Sequence, residues 1–127
     1  MNKQKQRKLY EAYVSQDKKN YKWLNDKEMI VEYDKDNNTP TTIEFCSKEV
    51  CVKRWYRESG ELEYEWQYKN GKLHGPSRGY YKSGELEWET QWKNGKRHGP
   101  SRGYHESGEL CWEWQYENGE LVSSKYY

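Results

Sequence analysis

KNGKLHGPSRGYYKSGELEWETQW, residues 69–92, is followed at once by KNGKRHGPSRGYHESGELCWEWQY, residues 93–116. Asn70-Gly71 returns as Asn94-Gly95 and Asn118-Gly119, and Ser59-Gly60 returns as Ser83-Gly84 and Ser107-Gly108. The period is 24 residues. Self-similarity at such a spacing means one supersecondary unit, copied and stacked because a single copy cannot bury its apolar face.

Each copy reads as a β-hairpin. ELEYEWQY (61–68), ELEWETQW (85–92) and ELCWEWQY (109–116) alternate with period two, the signature of a strand with unlike faces. By that alternation one face carries Leu62, Tyr64, Trp66 and Tyr68, then Leu86, Trp88, Thr90 and Trp92, then Leu110, Trp112, Trp114 and Tyr116. Glutamates and glutamines fill the other, with Cys111 in one glutamate position. The partner strands contain RWY, RGY and RGY at 54–56, 78–80 and 102–104, which stack into ladders of Arg54, Arg78 and Arg102 and of Tyr56, Tyr80 and Tyr104. Like charges in adjacent rows repel, so the arginines are expected to pair with glutamates of the neighbouring strand. The Asn-Gly and Ser-Gly pairs supply turns that need positive φ. Pro76 and Pro100 suit a strand start or an edge, not a central ladder position.

Outward from the repeats, EMIVEY (28–33) and TTIEF (41–45) are β-rich and flank the turn-forming DKDNNTP. Residues 28–49 read as a degenerate first hairpin, ahead of regular units over 50–127. In residues 1–27, Leu9, Tyr10, Tyr13 and Val14 fall on one helical stripe. A short helical cap or arm is predicted there, docking on the first strands. The fold class is mainly β: tandem hairpins forming an elongated, twisted antiparallel sheet with a short N-terminal helix.

The chain has 127 residues, 32% hydrophobic and 17% aromatic. Its mean hydropathy of -1.50 would suit disorder, but the aromatics recur at fixed positions. The core is therefore expected to be thin and built from Trp and Tyr. Lys and Arg number 22 against 21 Asp and Glu, so no overall field draws nucleic acid or an anionic membrane. No apolar run is long enough to span a bilayer and no signal peptide is visible. Cys46, Cys51 and Cys111 match no zinc spacing. Reduced thiols and a cytosolic location are the expectation.

The string Tyr68-Lys-Asn-Gly71-Lys-Leu-His74-Gly75 and its copy from Trp92 to Gly99 resemble the MORN repeat family. Tyr81-Lys-Ser-Gly84-Glu-Leu86 is similar to the bacterial MORN variant found in YwqK-type antitoxin proteins. The resemblance covers residues 50–127. It implies a sheet of hairpin repeats and, through the YwqK-type proteins, a toxin or effector as partner. The commoner MORN form has a second glycine soon after His-Gly, whereas here Pro-Ser-Arg precedes Gly79 and Gly103.

No residue set stands out from the period as a catalytic constellation does, so an enzyme is not expected and no cofactor or metal is expected. His74 and His98 recur at turn edges, where bonding of the turn outweighs catalysis or metal binding. The leading expectation is a non-catalytic protein-binding module that neutralises a toxin or effector by occlusion, antitoxin-like or inhibitor-like. Trp66, Trp88, Trp92, Trp112 and Trp114 would anchor the partner, and Arg54, Arg78, Arg102, Tyr56, Tyr80 and Tyr104 would orient it. The alternative is a phosphate-bearing small molecule or anionic lipid held by the Arg/Tyr ladder. Single-stranded nucleic acid is disfavoured by the interleaved glutamates. The terminal strand offers an edge to a second copy.

Overall fold

A computed structural model of the chain describes residues 28–33, 40–47 and 49–127. The helix expected within 1–27 lies outside the described residues. Among the described residues, nine strands follow one another in a single antiparallel meander, each paired with its neighbours in sequence. They are β1 (Glu28–Tyr33), β2 (Pro40–Ser47), β3 (Val50–Tyr56), β4 (Leu62–Lys69), β5 (Lys72–Tyr80), β6 (Leu86–Lys93), β7 (Lys96–Tyr104), β8 (Leu110–Glu117) and β9 (Glu120–Tyr126).

The turns explain the meander. Asn70, Asn94 and Asn118 have φ of 52°, 49° and 49°, and the glycines after them have φ of 78°, 83° and 88°. Two successive positive φ values match the right-handed twist of the strands that they join, and Asn-Gly adopts them at least cost. Each such turn is tied to the hairpin before it. Gly95 N donates to Leu73 O and Gly119 N to Arg97 O, both at 2.8 Å. Asn94 N donates to His74 Nδ1 at 3.3 Å, and Asn118 N to His98 Nδ1 at 3.2 Å. The two histidines are thus linkers between consecutive units.

Two bulges per unit modify the simple alternation. Two extra residues at the His-Gly step, where Gly75 and Gly99 have φ of 88° and 96°, interrupt the pairing of β4 with β5 and of β6 with β7. Beside it, Pro76 and Pro100 sit inside β5 and β7, opposite Gln91 and Gln115. This differs from the expected strand start or edge. A bulge already breaks the ladder there, so a missing N–H is tolerated. The second bulge lies near the Ser-Gly turn and sets Leu62, Leu86 and Leu110 opposite Tyr56, Tyr80 and Tyr104. Cross-strand partners share a face, so these leucines join the Arg/Tyr face. Alternation from the sequence had placed them with the tryptophans.

The tightest core lies at β2–β4. Ile43 and Val52 are 1% and 0% exposed, and Arg54, Tyr56 and Glu65 are buried with them. The register sets Ile43 opposite Arg54 and Arg54 opposite Glu65, on one face. Cys46 lies directly opposite Cys51, and the two form a disulfide. The expectation of reduced thiols fails for this pair, because five residues of separation become a cross-strand neighbour once a tight hairpin forms. Cys111 is free. No helix among the described residues is long and apolar enough to cross a membrane.

Candidate binding site: a tryptophan groove

Two cross-strand rows build one face of the sheet. The first runs Trp55, Tyr64, Gly79, Trp88, Gly103, Trp112, Tyr126 from β3 to β9. The second runs Lys53, Trp66, Ser77, Thr90, Ser101, Trp114, Ser124 over the same strands. In the middle of the sheet, β4, β6 and β8 carry the rings while β5 and β7 carry serine and glycine. The small residues let the rings lie down. A Cβ on Gly79 would stand 2.2 Å from Trp88 Nε1, and one on Gly103 would stand 2.0 Å from Trp112 Nε1. Both indoles therefore rest against bare backbone.

The rings then touch one another. Trp66 meets Trp88 edge-on at 6.3 Å and stacks with Trp92 at 6.4 Å between centroids. Trp112 and Trp114 are 4.7 Å apart. Such pairs add about 0.5–1.5 kcal/mol beyond their area burial. Position 90 is the exception to the pattern: Thr90 stands where the neighbouring units have Trp66 and Trp114. Around it lies a cavity of about 320 Å³ lined by Trp66, Trp88, Trp92, Trp112 and Trp114, among others.

Hydroxyls also line this cavity. Ser77 Oγ accepts from Trp92 Nε1 at 2.9 Å and donates to Thr90 O at 3.3 Å. Thr90 Oγ1 and Ser101 Oγ are 2.7 Å apart. Trp114 Nε1 is buried with no acceptor. At the rim, the exposed Arg97 guanidinium lies 5.5 Å from the Trp92 ring centroid and 5.3 Å from that of Tyr116. Arg97, Ser77, Thr90, Ser101, Gly79 and Gly103 were not singled out by sequence reasoning. The signal was present: Ser77-x-Gly79 and Ser101-x-Gly103 are period-two pairs of small residues facing tryptophan strands.

The five tryptophans named from the sequence thus converge on one site. Arg54, Arg78 and Arg102 do not join them. Arg78 and Arg102 alternate with the small residues along their strands, and Arg54 with Lys53 and Trp55, so all three lie on the opposite face. Arg54 Nε is 2.8 Å from Glu65, Arg78 is 3.1 Å from Glu65 and 2.6 Å from Glu89, and Arg102 is 2.5 Å from Glu113. The expected pairing of arginines with neighbouring glutamates is found. The Glu113 hydrogen bond holds the Arg102 guanidinium above its usual pKa. Tyr56, Tyr80 and Tyr104 share this ladder face, and Arg57 Nη2 and Tyr81 Oη reach across to Tyr80 O and Tyr104 O.

The fold and groove define a single-layer β-hairpin repeat protein with an aromatic face. Residues 52–70 and 73–96 match the model of the MORN repeat variant family, and these hairpins are MORN-variant repeats. A search of curated protein sequences found no match. Among solved structures, the chain is similar to S. aureus TarM, with a TM-score of 0.52 and 14% identity. That match covers 91% of this chain and 27% of TarM. A TarM mutant in complex with fondaparinux, α-GlcNAc-glycerol and UDP matches with the same score and identity over 89% of this chain and 27% of that one. The GtfA/B complex matches with a TM-score of 0.50 and 12% identity, over 78% of this chain and 19% of that one. Likeness at this level of identity shows the fold alone.

Proposed function

We propose that this chain is a non-catalytic protein-binding module whose tryptophan groove takes hold of a protein partner. The observation that carries the reading is the cavity of about 320 Å³ between five tryptophans contributed by three strands. Trp and Arg dominate the energetics of protein interfaces, above all in pockets that exclude water. Such a surface works by occlusion: a partner held against the sheet has that part of its own surface covered. By its resemblance to YwqK-type proteins, the partner class would be a toxin or effector, and the role antitoxin-like. The Arg/Tyr ladder is a poorer basis for a phosphate or lipid ligand, because its guanidiniums are already engaged by carboxylates.

The test is affinity capture from the native host with the wild-type chain and with Trp92→Ala and Trp114→Ala. A stoichiometric protein retained by the wild type and lost with both variants is the expected result. No stoichiometric partner, or one held equally by all three, overturns the proposal.

A further inference from the structure

The cavity over Thr90 has the form of a missing repeat side chain. Trp66 and Trp114 occupy the equivalent position in the units before and after. Five tryptophan rings line the space beside Thr90. Trp114 contributes its ring to the lining, 4.7 Å from that of Trp112.

The charge along the two edges is uneven. On the edge formed by the Asn-Gly turns, Lys69, Lys72, Lys93, Lys96 and Arg97 are exposed at the central turns, with Glu49, Glu117 and Glu120 at the outer ones. On the edge formed by the Ser-Gly turns, Glu58, Glu85, Glu106 and Glu109 are exposed, with Lys82 among them. Arg97 brings the basic edge to the cavity rim.

We infer that the cavity receives an aromatic side chain of a protein partner, with carboxylates beside it in the partner's sequence that meet Arg97 and the lysine edge. The inference rests on the protein-binding reading and specifies its partner: an acidic segment bearing an exposed tryptophan or tyrosine. The aromatic ring replaces the indole that Thr90 omits and packs against the rings of Trp66, Trp92 and Trp114. The carboxylates fix direction along the sheet and steer the encounter, an effect that salt screens.

The experiment uses the full chain, labelled with ¹⁵N, and three N-acetylated tripeptide amides: tryptophan-aspartate-aspartate, tryptophan-lysine-lysine and glycine-aspartate-aspartate. Indole N–H resonances report binding at the cavity. The first peptide is expected to move the Trp114 signal and to bind at least about tenfold more tightly than the others at low salt, with the charge preference lost at high salt. Thr90→Trp fills the cavity and should abolish binding. Arg97→Glu, at an exposed position, tests the charge independently of whether Thr90→Trp folds, and should erase the preference for the acidic peptide.

Equal binding of the acidic and basic peptides, unchanged binding by Thr90→Trp, or no binding of any peptide overturns the inference. Capture of the native partner gives a separate reading. A partner still held by Thr90→Trp, with the peptide site lost, removes this inference and leaves the protein-binding module standing. Peptide binding with no stoichiometric partner in the host removes the module and leaves the site.

Discussion

Replacing Gly103 by alanine puts the closest contact in the groove under test. The added Cβ would stand 2.0 Å from Trp112 Nε1 and 2.1 Å from Cε2, against ordinary contact at 3.4–4 Å. The indole must therefore retreat by about 1.4 Å. It has little freedom to do so, since Trp114 packs 4.7 Å away. Overpacking of this kind costs about 1–3 kcal/mol. Alanine also removes backbone freedom from the unfolded chain, which offsets about 0.4–1 kcal/mol. The net expectation is a loss of about 1–2 kcal/mol. Urea unfolding followed by far-ultraviolet circular dichroism measures it, and a double-mutant cycle with Trp112→Ala assigns it. With the indole gone, Gly103→Ala should become neutral or stabilise by up to about 1 kcal/mol. A destabilisation of equal size in both backgrounds would refute the account of Gly103 as the bed of Trp112.

Glu65 is 8% exposed in its side chain and bonds both Arg54 and Arg78, whereas Glu113 is 28% exposed and bonds Arg102. Glu65→Gln should therefore cost about 3 kcal/mol, and Glu113→Gln at most about 1 kcal/mol, fading at high salt; equal midpoint shifts in urea would contradict the burial argument. Gly95→Ala forces a side chain to φ of 83° in a turn that also bonds Leu73 and should lose about 1–3 kcal/mol; a thermal midpoint equal to that of the wild type would rule the strain out. Tyr81 donates to Tyr104 O at 2.7 Å, and burial raises its pKa above the usual value. A raised folded-state pKa means stability that is full below about pH 10 and lost as pH climbs through the folded value. Tyr81→Phe should flatten that alkaline loss, and an unchanged pH profile of the melting temperature would rule the contribution out.

The degree to which the groove was legible can be judged residue by residue. Trp66, Trp88, Trp92, Trp112 and Trp114 were readable because period two places them on one face whatever the rest of the sheet does. Arg78 and Arg102 looked like their companions, since tryptophan and arginine both belong to interface chemistry. The register separates them: each arginine lies between a small residue that faces the indoles on either side of it. Leu62, Leu86 and Leu110 were misplaced because a bulge carries no simple sequence mark when the extra residue is Glu63, Glu87 or Cys111. Arg97 was passed over because its partners, Trp92 and Tyr116, come from flanking strands.

By itself the sequence determined the repeat, the hairpin, its turns and the segregation of aromatic from charged residues. These follow from local rules: positive φ at Asn-Gly, and side chains that alternate along an extended strand. The tertiary structure decided what depends on residues far apart. It set the Cys46–Cys51 bond, the two bulges, and the link from each histidine to the next turn. It also decided that Thr90 is the centre of a cavity and not merely the weak member of its row. A small residue leaves a hole only where neighbouring strands hold their rings apart, and that spacing is a property of the sheet, not of any one strand.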